Sequence, residues 1–357
     1  MKILFICSSL GVDRIVGPLL RQRGHIVDSV GPDSDRPELR LSKRDGFLGS
    51  SRYLYDIMKT LPAMRGYDAV QLGSHLFLEL GPGRLSYFVK ELKKTNRALF
   101  LSALRPDFFY TEACVRKGLF RFSPYRIGTE KSALAKCNPE AEYENMENGI
   151  RDYERFLLSQ LSGVMTFSPE MEIALRPVTE GIIRSVPFPV QVPDNMPEEM
   201  TGDGRISLIV PGNRLTDLRE GRDSLRRMAR EIAETLAEDC VLLENLDKNH
   251  RLQRDAIWMD SVCRYSPSPD ALSAMACGVV AVSGCQPEYA DFVNTSAIPP
   301  VICGAPGKEE EIKSRLISLI EHRDSLVTLS GSAREFVRKY HSPEAAASAL
   351  ECLWERM

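Results

Sequence analysis

Two stretches of this sequence hold residue types that handle negative charge. The first is "SPSPDALSAMACG", residues 266 to 278. Ser268 can cap a helix, Pro269 suits its first turn and Gly278 can end it. The start of such a helix presents unpaired backbone N–H groups and a partial positive charge, which together favour phosphate. Ala271, Ala274 and Ala276 leave room for close approach, by a ligand or by a packed neighbour. The second stretch is "VPGNRLTDLREGRDSL", residues 210 to 225. Gly212 would let the backbone come near an anion. Arg214, Arg219 and Arg222 crowd the turn after a strand, and guanidinium groups hold a diphosphate with paired, charge-assisted hydrogen bonds. The same arginines can instead pair with Asp217, Glu220 and Asp223.

Three further polar residues follow predicted strands. His75 comes after "VQLGS", Asp107 after "LFLSALRP" and Glu288 after "VVAVSGCQP". In open α/β sheets, ligands sit outside the carboxyl ends of the strands, so each is a candidate for a cleft or a simple loop cap. Ser9 and Gly11 occupy the equivalent turn after the first strand.

The elements that would position these groups read as repeated β-α-β units. "KILFIC" is a continuous apolar run, as for a strand covered on both faces. A helix to Arg23, Gly24 and the strand "HIVDSVG" follow. Strands are predicted at 67–74, 98–104, 163–169 and 181–190, with helices at 84–96 and 150–161 between them. Residues 191 to 204 are rich in Pro, Gly, Asp and Glu and read as a linker. A second series then begins at "RISLIVPG", with a helix at 221–237, strands at 240–246 and 279–284, and closing helices near 308–322 and 343–355. Two parallel-sheet halves around a cleft are the result.

Composition narrows the field. The chain has 357 residues, enough for two cores. No apolar run reaches the ~18 residues of a membrane span, and the opening "MKILFICSSLG" reads as a strand and not a secretion signal. Nine cysteines and five histidines are scattered without zinc-site spacing, which favours a reducing cytoplasm and predicts no metal site. Residues 1–126 hold 21 Lys and Arg against 12 Asp and Glu, whereas residues 127–200 hold 6 against 13. The basic N-terminal part is either a solvated surface or a face for an anionic partner: a phosphorylated acceptor, a lipid phosphate or a membrane surface.

Several segments resemble, in order along nearly the whole chain, those of GT-B glycosyltransferases of retaining family 4. "LLRQRGHIV" is similar to their "L…L…RGHEV" segment, "SAMACGVVAVSG" to "EAMACGxPVVAS", and "GVMTFSPEM" to their Asp-Gly strand and helix. "VPGNR…REG" stands where they carry a "GR…KG" donor loop. Two positions depart. Of the family's paired glutamates, the first is Tyr265 here and the second Ser273. In the family the first touches the transferred sugar and the second the nucleotide's ribose. Asp270, one helical turn before Ser273, is the candidate replacement. The loop lysine is replaced by Glu220, with Arg219 as the substitute cation and Arg214 matching the loop arginine. Asp107 corresponds to the aspartate of a G-x-D pattern.

The resemblance implies an α/β GT-B fold, two Rossmann-like doubly wound domains facing a central cleft. Residues 1–195 would bind the acceptor, 205–335 the nucleotide-sugar, and a helix within 336–357 would pack back on the first domain. It implies a metal-independent, hexosyltransferase-type enzyme of polysaccharide biosynthesis, acting with retention. The nucleotide-diphosphate sugar is a co-substrate, and no cofactor is implied. Asp270, Asp107 and His75 would serve the chemistry; Gly212, Arg214, Arg219, Ser266, Ser268, Ala271, Ser273 and Glu288 the donor; Ser9 and Gly11 the N-terminal loop. The acceptor would be a glycan, a lipid-linked sugar or a small molecule, not nucleic acid. The location would be cytoplasmic, or peripheral at the inner face of the membrane. Two other readings fit the same sequence: a GT-B nucleotide-sugar epimerase, and a non-catalytic glycosyltransferase-like subunit.

Overall fold

The computed structural model describes residues 1–42, 46–143, 145–194, 204–212, 214–244 and 255–355. Strands β1 (Lys2–Ile6), β2 (Ile26–Val30), β3 (Ala69–Leu72) and β4 (Ala98–Ala103) open the chain. A short antiparallel hairpin, β5 (Arg126–Ile127) and β6 (Glu130–Lys131), precedes β7 (Gly163–Thr166) and β8 (Ile182–Ser185). The first sheet is wholly parallel, in the order β2-β1-β3-β4-β7-β8. The second contains β9 (Ile206–Val210), β10 (Cys240–Glu244), β11 (Ala256–Met259), β12 (Val280–Ser283) and β13 (Ile302–Cys303). It too is parallel, in the order β10-β9-β11-β12-β13.

The unbroken apolar strands follow from coverage on both faces. Ile3 and Phe5 enter one core, while Leu4 and Ile6 enter another on the opposite face. The first of these cores takes in Val12, Val16 and Leu20 from helix Val12–Gln22, and Leu350, Leu353 and Trp354 from helix Pro343–Trp354. It also includes Ala271, Leu272 and Met275 of the second lobe, so one apolar body runs through both lobes. The last helix thus lies against the first lobe. Phe5 meets Trp354 edge-on at 6.1 Å, and Glu351 pairs with Arg23 at 2.5 Å and His25 at 2.9 Å.

Each sheet reverses its strand order beside its first strand, between β1 and β3 and between β9 and β11. Crevices form at such points. A glycine permits the tight crossing in each lobe. A Cβ on Gly73 would lie 2.0 Å from the Cys7 carbonyl oxygen, and one on Gly221 would lie 2.5 Å from Val262 Cγ2.

Some elements differ from the sequence reading. Strand β11 was not expected: only four residues long, it lacks a legible period, yet it is the centre of its sheet. Helices Gly46–Thr60 and Arg323–Tyr340 were also unanticipated. The latter carries Ser330, Ser332 and Gly331, which blur its apolar stripe. Those small residues have a packing role. Ser330 donates to the Gly278 carbonyl and Arg334 to the Ala276 carbonyl at 3.3 Å, so this helix closes the end of helix Pro269–Ala276. The predicted strand at 181–190 stops at Ser185. Residues beyond it run as an extended strap, where His341 Nδ1 meets the Phe188 carbonyl at 2.9 Å and Nε2 meets Tyr289 Oη at 2.6 Å.

Candidate functional site in the cleft between the lobes

The second lobe builds its part of the cleft around Asp260, which follows β11 and is fully buried. Arg222 reaches its Oδ1 at 3.1 Å and its carbonyl at 2.5 Å. Ser268 donates its hydroxyl to Oδ1 at 2.7 Å and its backbone N–H to Oδ2 at 3.2 Å, and Ser283 also donates to Oδ2. Ser268 caps helix Pro269–Ala276 by accepting from Ala271 N–H at 3.1 Å. The cap is therefore locked from below by a buried carboxylate, and the buried charge is matched by a guanidinium.

Beside it, Glu220 and Arg264 form a bidentate pair at 2.6 and 2.8 Å. Burial works against ionising Glu220, but Arg264 outweighs it and holds the carboxyl below its ordinary value. Arg264 is raised in turn, chiefly by the Glu220 charge. Glu220 thus has its counter-ion at position 264, on the facing loop.

The residues expected at the donor site separate into groups. Asp270 and Ser273 are exposed and line a hollow of about 520 Å³, together with Leu10 and Arg14 of the first lobe and the strap 188–191. The Ser273 hydroxyl donates back to the Pro269 carbonyl at 2.8 Å. Partial burial, followed by the nearby Asp260 charge, raises the Asp270 carboxyl. Ser266, Ser268 and Ala271 are buried beneath this surface; Ala271 belongs to the core and Ser268 to the cap. The alanines of this helix serve close packing. Gly212 is exposed with φ 108°, and Arg219 is half-buried on helix Arg214–Glu220. The Arg214 side chain lies outside the described residues.

The first lobe contributes the turn after β1. Cys7 (φ 47°), Leu10 (φ 54°) and Gly11 (φ 68°) all adopt left-handed conformations, and Ser9 is buried. Two non-glycine residues in that region mark stored strain of the kind found at binding loops. Arg14 borders both the 520 Å³ hollow and a second one of about 620 Å³ between the ends of β1 and β2. The second hollow contains an Asp-x-Asp run, Asp33-Ser34-Asp35, whose carboxylates face Arg14 and Arg21.

His75 and Asp107 come together with a residue the sequence reading missed, Glu154. All three are buried. His75 Nε2 lies 3.7 Å from Glu154 Oε1 and has no hydrogen-bond partner among the described residues. Asp107 caps helix Phe108–Val115 by accepting from Tyr110 N–H at 2.7 Å, and Glu154 accepts from Phe108 N–H at 3.0 Å. Burial raises both carboxyls; Glu154, also facing Asp107, is pushed up to about 9. Burial, then Arg105, lowers His75 to about 4. Glu154 had one visible signal: it falls between Ile150 and Leu157 on the apolar stripe of its helix.

Glu288 and Tyr265 join the lobes. Arg121 of the first lobe pairs with Glu288 at 2.8 Å and stacks over the Tyr265 ring at 5.2 Å. Its backbone N–H donates to Tyr265 Oη at 2.7 Å. Tyr265 packs between Phe120 and Phe122, and its own N–H donates to the buried Glu170 at 2.7 Å. Among the described residues, no cluster of three or more His, Cys, Asp or Glu is placed to hold a metal ion, and no helix is long and apolar enough to cross a membrane.

No family model matches the sequence, and no curated protein matches it. Solved structures do match in shape. The chain is similar to sucrose-phosphate synthase from Thermosynechococcus elongatus (TM-score 0.60, 16% identity, 100% of this chain and 98% of that one). It is similar to HepE from Anabaena, solved with UDP and glucose (TM-score 0.56, 12% identity, all of both chains). It is also similar to the lipopolysaccharide outer core galactosyltransferase WaaB (TM-score 0.54, 10% identity, all of both chains). These are glycosyltransferases of the GT-B architecture, and two parallel-sheet lobes spanning the full length of such neighbours give this chain the GT-B fold.

Proposed function

We propose that the protein transfers a hexosyl group from a nucleotide-diphosphate sugar to a glycan, lipid-linked sugar or small-molecule acceptor. The observation that carries this reading is the hollow where the strained first turn and Arg14 meet the start of helix Pro269–Ala276. The fold neighbours solved with UDP and UDP-glucose favour a uridine nucleotide as the first donor to test.

The chemistry would be cleavage of the bond between the anomeric carbon and the diphosphate. Charge builds on the leaving phosphate, and fixed amides with guanidinium groups can stabilise it by several kcal/mol. Arg14 and the first turn of helix Pro269–Ala276, which line the hollow, are the groups we assign to this task, together with Arg219 of helix Arg214–Glu220, which is assigned from the sequence alone. With those in place no metal is needed. Asp270, exposed in the hollow, would accept from a donor hydroxyl. The leaving phosphate would take the acceptor's proton, the anomeric configuration would be retained, and no protein nucleophile would be required. Asp107 and His75, buried in the first lobe and outside the linings of both hollows, would act on the acceptor through that lobe. The 620 Å³ hollow bordered by Arg14 is the acceptor candidate. We place the protein in the cytoplasm or at the inner membrane face, in glycan assembly.

One observation favours a second reading, a glycosyltransferase-like subunit without turnover. Tyr265 fills the place of the family's sugar-contacting glutamate and is bolted to Arg121 and Phe120 across the cleft. A screen of nucleotide-sugars for released nucleotide, read beside thermal shift, separates the two. Transfer predicts a raised melting temperature with UDP and donor turnover that falls at least about tenfold in Asp270→Asn. A shift with no turnover supports the second reading. Neither shift nor turnover with any nucleotide-sugar removes both.

A further inference from the structure

Two thiols lie against each other at the carboxyl edge of the second sheet. Cys303 ends β13 and pairs in register with Ser283, the last residue of β12; Cys285 follows two residues later. Both cysteines are free and half-buried. Cys285 acts on the Cys303 sulfur through its thiol and its backbone N–H, and Gln286 Nε2 donates to the same sulfur at 3.4 Å. The Lys308 ammonium is near enough to act on both sulfurs. Donors and a cation around one sulfur favour its thiolate. Cys303 is lowered to about 7, first by the Cys285 hydrogen bond, while Cys285 is driven in the opposite direction by the same bond and by burial. Cys303 also lines a hollow of about 710 Å³ beside Ile298, Pro299 and Arg315, so a small reagent has an approach. Sugar transfer uses neither thiol.

We propose that Cys303 and Cys285 form a redox modification site, in which Cys303 attacks small-molecule disulfides of the glutathione type and Cys285 resolves the adduct. The Cys303 thiolate attacks one sulfur of the disulfide; that S–S bond breaks, a mixed disulfide forms and one glutathione thiolate leaves. Cys285 then gives up its proton to solvent and attacks the Cys303 sulfur. The second glutathione thiolate leaves and the Cys285–Cys303 bond forms. The two protein thiols lose two electrons and the glutathione disulfide gains them. The site sits at the base of the turn that carries Gln286 and Glu288, both of which contact Arg121 of the other lobe. Oxidation would therefore act where the lobes are joined.

The test uses the full chain, glutathione disulfide and iodoacetamide. After exposure to glutathione disulfide at pH 7, peptide mapping should recover a Cys285–Cys303 linked peptide. Cys285→Ser should instead accumulate glutathione on Cys303, and Cys303→Ser should lose both products. Iodoacetamide labelling of Cys303 should fall several-fold between pH 8 and pH 6, with its midpoint near 7. Recovery of all nine cysteines as unlinked thiols in the unmodified chain would overturn the proposal. So would glutathione settling on other cysteines while position 303 stays free.

Discussion

The two lobes bury acidic side chains at the same place, outside the carboxyl ends of their strands, and neutralise them in opposite ways. In the second lobe, Asp260 and Glu220 each receive a guanidinium, from Arg222 and Arg264. In the first lobe, Glu154 and Asp107 face each other and a neutral histidine, and a proton on Glu154 takes the place of a cation. A buried carboxylate must be paired or protonated, because desolvation of a lone charge costs more than the fold can spare. The difference makes one lobe's site a fixed electrostatic frame and the other's a set of groups able to exchange protons.

The largest test of this contrast is Asp260→Ala. It would strand the Arg222 charge and free two serine hydroxyls in a dry site, so chemical denaturation should show a loss of about 3–5 kcal/mol. A loss under about 1 kcal/mol would mean the arginine finds water and the frame is not rigid.

Next comes Glu154→Gln. A carboxyl raised from 4.5 to about 9 contributes stability that is present below 4.5 and lost as pH rises through about 9. Glutamine keeps the acceptor for Phe108 N–H and cannot ionise. The variant should flatten the fall of stability between pH 6 and 8 by about 1 kcal/mol per pH unit. Parallel profiles for variant and parent would end the contrast between the lobes. His75 and His341, each lowered to about 4, act in the other sense. Their stabilisation is present above 6.5 and is lost as pH falls through about 4.

The smallest effect concerns the join. Tyr265→Phe keeps the ring between Phe120 and Phe122 but deletes the acceptor for Arg121 N–H. A loss of about 1 kcal/mol is expected in denaturation, with donor turnover, if present, unchanged or faster as the lobes open more easily. A slower reaction would make the hydroxyl part of the site.

How much of the site was legible depended on whether a residue's role is local. Ser268, Pro269 and Gly278 define a helix by capping rules that act within four residues, and β1 by continuous apolar residues. Asp260 was invisible because its meaning needs Arg222, 38 positions away, and a strand too short to show a period. Glu154 was visible only as a charge on an apolar stripe. Its partner across 46 positions explains it.

By itself the sequence determined the two parallel-sheet halves, since strand and helix periods and turn chemistry are short-range properties of the chain. Only the tertiary structure decided which charges meet. It set Arg264 on Glu220, Glu154 on Asp107 and His75, and Cys285 on Cys303. Ionisation depends on burial and on neighbours a few ångströms away, and neither is encoded at fixed spacing along the chain.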